Sequence, residues 1–511
     1  MLHITHLTMT HEKDLTNLIT DLSLVINKGD KVALIGEEGN GKSSLLKWMM
    51  REESVSSYIQ FKGQIKRDFV QYSYIPQHLP PELGELSLHD YFFGLDESNL
   101  DYAVLYRYAK ELQFDSERFA DSQLLMNLSG GEKLKVQLMK ELAQKTDILF
   151  LDEPSNDLDL ATLHWLETFI RQTSQTVVFV SHDETFLSQT ATKIVHLERI
   201  KKRQVARTTV QALGYTTYAQ KREEGFERQL QQVRNERLAH QKKLERHHRI
   251  HQSVEHTVRT THDATAGRLI AKKMKAVLSQ EKRYKKEVEN LTEMPSQEDS
   301  IRLYFKGIEP LPAHKPVIDL VDFTLQVGKK TLVSNLNFRF LAQEKIGIIG
   351  KNGVGKSSLL KQIHALLEET ATYPIGYMPQ SYRDLLDVTA SPLQFLTSSP
   401  DKKEEERVLT HLASLQFTRE EARHSISSLS GGQRAKLLLL KMVLEACPVL
   451  LLDEPTRNFS PTSQPQVRKL FANFPGAILT ISHDRSFLRE VCDRIYQLDE
   501  TGLQEIRKET L

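Results

Sequence analysis

The chain has 511 residues, three to four ordinary domain lengths, so a fold built on one core is excluded. Its 39% hydrophobic and 26% charged content supports several folded domains and argues against wholesale disorder, while the formal net charge of +1 conceals unlike segments. Two cysteines, Cys447 and Cys492, exclude a disulfide framework, a zinc ribbon and an iron–sulfur cluster. The first residues lack a basic region followed by an apolar run, and no apolar stretch reaches the ~18–20 residues that span a bilayer. The expectation is therefore a reduced, cytoplasmic setting with no membrane crossing.

In chain order, the apolar run Lys31–Gly36 predicts a short buried strand ending in a glycine-rich turn, and Ser43–Met50 continues as a helix. Tyr74-Ile-Pro-Gln77 follows, then Leu128-Ser-Gly-Gly-Glu132. The runs Asp147–Leu151 and Thr176–Val180 predict parallel core strands, because near-continuous hydrophobicity suits strands covered on both faces. The first leads into Asp152-Glu153-Pro154 and the second into Ser181-His182-Asp183. Val449–Leu452 and Ala477–Ile481 predict the same two strands again, leading into Asp453-Glu454-Pro455 and Ser482-His483-Asp484. Gly350 to Ser358 repeats the first glycine turn, Tyr377-Met-Pro-Gln380 the first glutamine, and Leu429-Ser-Gly-Gly-Gln433 the first Leu-Ser-Gly-Gly. One motif order occurring twice marks a tandem duplication.

Between the repeats, residues 201–290 carry 22 Lys and Arg against 10 Asp and Glu, a surplus of twelve positive charges. The segment is poor in proline and glycine. Two apolar seams (Phe226, Leu230, Val233, Leu238 and Leu244; then Leu269, Met274, Val277 and Leu278) predict two long helices, roughly 219–252 and 262–291, folded as a hairpin. Its tip is expected near His247–Thr265, as a segment longer than a simple turn. Pro295, Pro310, Pro312 and Pro316 close the insert.

The two glycine turns both fit the nucleotide-binding P-loop. Gly36, Gly39, Gly41, Lys42, Ser43 and Ser44 form one; Gly350, Asn352, Gly353, Gly355, Lys356, Ser357 and Ser358 form the other. The glycines let backbone N–H groups converge on phosphate oxygens at a helix N-terminus, and the lysines reach the β- and γ-phosphates. Ser43 and Ser357 would ligate Mg²⁺, with Asp152 and Asp453 holding its shell. Glu153 and Glu454 would polarise the attacking water, and His182 and His483 would contact the γ-phosphate. Gln77 and Gln380 would approach the metal and the water. The expected activity is hydrolysis of ATP with Mg²⁺.

The Leu-Ser-Gly-Gly element is foreign to ordinary P-loop enzymes, and the whole set resembles the ATP-binding cassette family over both halves. The resemblance implies an α/β fold of two tandem cassettes joined by a long helical hairpin: 1–198, a linker 199–300, and 301–511. It also implies that the signature of one cassette caps the nucleotide of the other within a monomer. Lys42 would then pair with Ser430, Gly431 and Gly432, and Lys356 with Ser129, Gly130 and Gly131. A cassette pair with a basic helical linker resembles the ABC-F subfamily of ribosome-associated ATPases. That resemblance implies a 70S ribosome partner, with the linker in the exit site contacting rRNA and reaching P-site tRNA near the peptidyl-transferase centre. The positive arm suits RNA, where each phosphate contact releases counterions. Thr456-Arg-Asn-Phe-Ser-Pro461 is similar to the antibiotic-resistance members. A housekeeping translation factor and a transporter ATPase are the alternatives.

Three departures stand against the family pattern. Glu37 and Glu38 occupy the first P-loop where a neutral or basic residue and Asn are usual, so their carboxylates are expected to point away from the phosphates. The run Ser155-Asn-Asp-Leu-Asp159 has the acid at its end, whereas Thr456-Arg-Asn-Phe-Ser460 lacks it, which implies unequal hydrolysis at the two sites. Neither half has an aromatic at the place expected to stack adenine; Val327 is the nearest residue in the second.

Overall fold

The computed structural model describes the chain apart from residues 95–99, 156–157, 201–203, 261–263, 290, 296–302, 306, 329, 383–384, 398–400 and 511. The first half contains a six-stranded sheet in the order Tyr72–Ile75, Ile148–Asp152, Thr176–Val180, Lys31–Ile35, Lys193–Arg199 and Val205–Gln211. All neighbours are parallel except the last pair. The second half repeats this order with Ile375–Met378, Val449–Asp453, Ala477–Ile481, Lys345–Gly350, Arg494–Asp499 and Gly502–Ile506. Every residue of Lys31–Ile35, Ile148–Asp152 and Thr176–Val180 is buried, as expected for strands with helices on both faces. Antiparallel strands accompany each sheet: Leu2–His11, Asn17–Ile26 and Ile59–Arg67 in the first half, Pro316–Val327 and Lys330–Leu341 in the second.

Strand order positions the chemistry. Lys31–Ile35 lies beside Thr176–Val180, which lies beside Ile148–Asp152. The P-loop, the Asp152-Glu153 pair and Ser181-His182 therefore leave the sheet from one carboxyl edge, where open α/β sheets bind ligands.

Both repeats lie in one compact unit, Met1–Tyr215 with Glu298–Leu511. Buried charges join them. Arg485 makes a two-pronged ion pair with Glu167, and Arg468 contacts Glu184 at 2.7 Å. The Thr185 and Ser486 hydroxyls meet at 3.2 Å. The first sheet extends through Val205–Gln211, beyond the 198/199 division expected from the sequence. The expected division at 300/301 lies outside the described residues.

The second unit, Thr216–Gln297, is helical. Helix Tyr215–Thr260 runs to within a few residues of helix Ala264–Glu289, so most of the segment expected as a long tip is helix. The turn itself, at 261–263, lies outside the described residues. The seam also differs from expectation. Leu238 is 56% exposed, and Leu244 and Leu278 face solvent too. Val233 and Val277 are buried as expected, and His240 and His247, which continue the seven-residue spacing from Val233, are buried with them. His240 Nε2 lies 3.1 Å from the Tyr284 carbonyl and His247 Nε2 2.9 Å from that of Val277, so each ring N–H donates across the antiparallel pair. Leu238, Leu244 and Leu278 misled because imidazoles occupy core positions beside the two valines. No described helix is long and apolar enough to cross a membrane.

The Glu167 and Arg485 side chains are 5% and 12% exposed, so losing one partner strands the other. Arg485→Ala should destabilise the cassette unit by about 3–5 kcal/mol in denaturant unfolding, and Glu167→Met with Arg485→Leu by clearly less. Equal losses from the single and double changes would show that the pair itself carries no such cost.

Candidate active site

At the first P-loop the helix Lys42–Met49 opens after Gly41, whose φ of 85° is left-handed. Gly36 sits under the neighbouring strand: a Cβ there would lie 2.1 Å from the Leu197 carbonyl oxygen, so only glycine fits. Lys42 Nζ donates to the carbonyls of Gly36 and Glu37, both at 2.9 Å, folding the cation over the loop. Ser43 Oγ donates to Asp152 Oδ1 at 3.0 Å. Gln77 Nε2 donates to Glu153 Oε2 at 2.8 Å, and His182 Nε2 stands 3.4 Å from Glu153 Oε1. Glu153 has φ of 53°, a strained conformation held by its N–H bond to the Val180 carbonyl. Burial, with the Glu153 charge beside it, pushes the Asp152 carboxyl up to about 6.

The second P-loop repeats this geometry. Lys356 Nζ donates to Gly350 O at 2.8 Å and Lys351 O at 3.0 Å. Ser357 hydrogen-bonds Asp453, whose carboxyl burial raises. Glu454 has φ of 53°, and its Oε2 accepts from the His483 backbone N–H at 3.3 Å. Burial and then the Asp453 charge push Glu454 up to about 8. His483 Nε2 lies 3.8 Å from Glu454 Oε1, and burial followed by the Lys356 charge pushes the imidazole down to about 4. His483 Nδ1 is buried with no hydrogen-bond partner.

Each site draws residues from both halves. A cavity of about 910 Å³ over Gly39, Gly41, Lys42, Ser43 and Ser44 is also bordered by Gln380, Arg457 and Asn458. A second, of about 640 Å³, brings Ser129, Gly130 and Gly131 to Asn352, Gly353, Gly355, Lys356, Ser357 and Ser358. Gln380 borders both cavities. Ser129 and Ser430 cap the signature helices Gly130–Leu142 and Gly431–Leu444, each in a capping box, and the first-turn glycines lie at the opposite P-loop: Gly130 and Gly131 at the second cavity, Gly431 and Gly432 beside Glu38. Across the first site, Gly432 N–H donates to Glu38 Oε2 at 3.3 Å.

The donor set fits magnesium. Among the described residues no group of three or more His, Cys, Asp and Glu could hold a metal by itself. One buried carboxylate beside a serine hydroxyl at each site is what an ion that keeps waters and substrate phosphates requires.

Several site features were not anticipated. Glu38 borders the first cavity, with its Oε2 on the Gly432 N–H of the other half. Glu37 turns instead to Ser460 and Ser463 of the other half. His11 and Tyr58, from the antiparallel strands and the turn beside them, bring aromatic rings to the cavity of the first P-loop. Asp159 caps helix Leu160–Gln172 by accepting from Thr162 N–H, while Asn156 and Asp157 lie outside the described residues.

Comparison with known proteins agrees with this geometry. The family model described as "ABC transporter" matches residues 19–156 and 333–457. ATP-binding protein Uup of Buchnera aphidicola is 28% identical over 93% of this chain and 77% of its own length. Ribosome protection protein VmlR of Bacillus subtilis is 29% identical over 94% of this chain and 83% of its own length. The solved archaeal ribosome recycling factor aABCE1, in complex with the ribosomal stalk protein aP1, shares the fold with a TM-score of 0.59 at 16% identity, over 99% of this chain and 91% of that one. Two P-loops, two signature helices each facing the other repeat's P-loop, and a helical insert between them fit a single description: the chain belongs to the ATP-binding cassette family, as an ABC-F-type ATPase.

Proposed function

We propose that the chain is an ATP-driven, ribosome-binding translation factor that protects the ribosome from antibiotics. The observation that carries this reading is the arm. A 46-residue helix paired with a 26-residue one, within a segment holding twelve surplus positive charges, gives a reach of ~69 Å at ~1.5 Å per residue. That is a shape and charge suited to structured RNA, and VmlR is named as a ribosome protection protein. In this reading the cassettes bind the 70S ribosome at the exit site, in the cytoplasm. The arm contacts rRNA and P-site tRNA, and its tip acts on the peptidyl-transferase centre through shifted tRNA or rRNA.

Each nucleotide is held between the P-loop of one half and the signature helix of the other. Lys42 and Lys356 give up their loop carbonyls for phosphate oxygens. Magnesium, held by Ser43, Asp152 and Gln77 or by Ser357, Asp453 and Gln380, would neutralise charge between the β- and γ-phosphates. Glu153 and Glu454 orient the water and take its proton, and the burial that raises Glu454 strengthens it as a base once ionised. His182 and His483 steady the γ-phosphate. Hydrolysis removes the group that both halves share and lets them part.

Glu153→Gln with Glu454→Gln should lower ATP turnover by about a hundredfold or more while ATP affinity stays within about threefold, because general-base catalysis is lost and the phosphate cradle kept. Turnover near the parent rate would remove both residues from catalysis.

Expressed in a susceptible bacterium, the chain should raise the inhibitory concentration of at least one class among lincosamides, pleuromutilins, streptogramins A, phenicols and macrolides. Changing Lys242, Lys243, Arg246 and Arg249 to Glu should abolish the rise and weaken ribosome association by ~10-fold or more, with ATP turnover retained. No rise for any class would overturn the protective role.

A further inference from the structure

The two P-loops differ where they face the opposite half. Glu37-Glu38 stands in the first, and Lys351-Asn352 in the second. Glu37 is 2% exposed, and its Oε1 accepts from Ser460 Oγ at 3.2 Å and lies 3.9 Å from Lys436 Nζ, itself 2% exposed. Glu38 Oε2 accepts from the N–H of Gly432 in the first turn of the second signature helix. Both carboxylates come close to the signature glycines: a Cβ on Gly431 would lie 2.5 Å from Glu38 Oε2 and one on Gly432 3.2 Å from Glu37 Oε2, while the Asn458 carbonyl oxygen, 2.8 Å from that same Cβ, is what keeps position 432 glycine.

A helix N-terminus carries partial positive charge and free N–H groups, which is why it attracts anions. At the second site the signature residues Ser129, Gly130 and Gly131 border the cavity themselves. At the first, among the described residues, Glu38 borders the cavity and Ser430, Gly431 and Gly432 do not. The carboxylate of one half already occupies a donor that a γ-phosphate bound on Lys42 would need. Ser460 fits the same arrangement. Its counterpart Asp159 is an acid, and an acid at 460 would meet the buried Glu37 carboxylate. A neutral hydroxyl donates to it instead.

We propose that Glu38 is a specificity-determining residue of the first nucleotide site, standing in for the γ-phosphate on the second signature helix, so that this site closes on a nucleoside diphosphate nearly as well as on a triphosphate. Glu37 is its positioning residue, anchored by Lys436, Ser460 and Ser463. The dependence of closure on the γ-phosphate then rests on the second site, where Ser129, Gly130 and Gly131 border the cavity themselves. This inference rests on Lys42 being a phosphate-binding lysine and needs no ribosome.

The test uses the full chain carrying Lys356→Ala, which leaves the first site to bind. Affinities for Mg·ADP and Mg·AMP-PNP are measured with and without Glu38→Asn. The parent should prefer AMP-PNP by about threefold or less, and Glu38→Asn should widen the preference by about tenfold or more, the range of one charge-assisted hydrogen bond. Glu38→Gln should shift it in the same direction by less, and so should Glu37→Gln. Hydrogen exchange gives a second readout. Without nucleotide, residues 430–436 should exchange about tenfold faster in Glu38→Asn than in the parent, with residues 129–135 unchanged as the internal control. An unchanged nucleotide preference, or unchanged exchange at 430–436, overturns the proposal. Binding of neither nucleotide by the Lys356→Ala chain overturns it together with the assignment of Lys42, whereas failure of ribosome binding leaves both standing.

Discussion

Each of the two P-loop cavities is lined by residues from two separate parts of the chain. A P-loop helix presents its N-terminus from one side, and a signature helix capped by Ser129 or Ser430 presents its own from the other. Neither repeat alone completes a site. The duplication, the strand order that gathers P-loop, carboxylates and histidine at one sheet edge, and the buried charges joining the halves all follow from that requirement. Isolated buried ion pairs are poor stabilisers, but they fix register, and here they lie between surfaces that must meet in one orientation.

The two sites obey this constraint differently. At the second, burial drives Glu454 and His483 toward their neutral forms. At the first, acids from the P-loop cross to the partner helix. A binding site that supplies some of its own negative charge asks less of its ligand, and on the proposal above that would let two halves of the same strand order divide labour.

The catalytic frame was legible because its signals are local. Thr176–Val180 and Ala477–Ile481 emerge as strands from near-continuous apolar runs, and the glycine turns place their lysines without any long-range information. The arm was legible in charge and helicity but only in part in packing, where Val233 and Val277 are buried as expected. Leu238, Leu244 and Leu278 outweighed a seven-residue spacing whose members include His240 and His247. Histidine registers as core only when its hydrogen-bond partner is known, and the Tyr284 and Val277 carbonyls lie 44 and 30 residues away. The contacts of Glu37 and Glu38 span 423 and 394 residues, so their destination could not be read locally; an acid pair in a phosphate loop was the only sign that something unusual occupies that place. His11 and Tyr58 were invisible for the same reason.

Closure of the cassettes and engagement of the arm form one cycle in this account, so ribosome affinity has to follow the nucleotide. The most direct measurement is co-sedimentation of the Glu153→Gln, Glu454→Gln chain with 70S ribosomes in the presence of Mg·ATP or Mg·ADP. The account predicts retention with ATP that is at least about tenfold stronger than with ADP, since binding linked to a two-state closure shifts only with differential affinity. Equal retention with both nucleotides, or none with either, would contradict it.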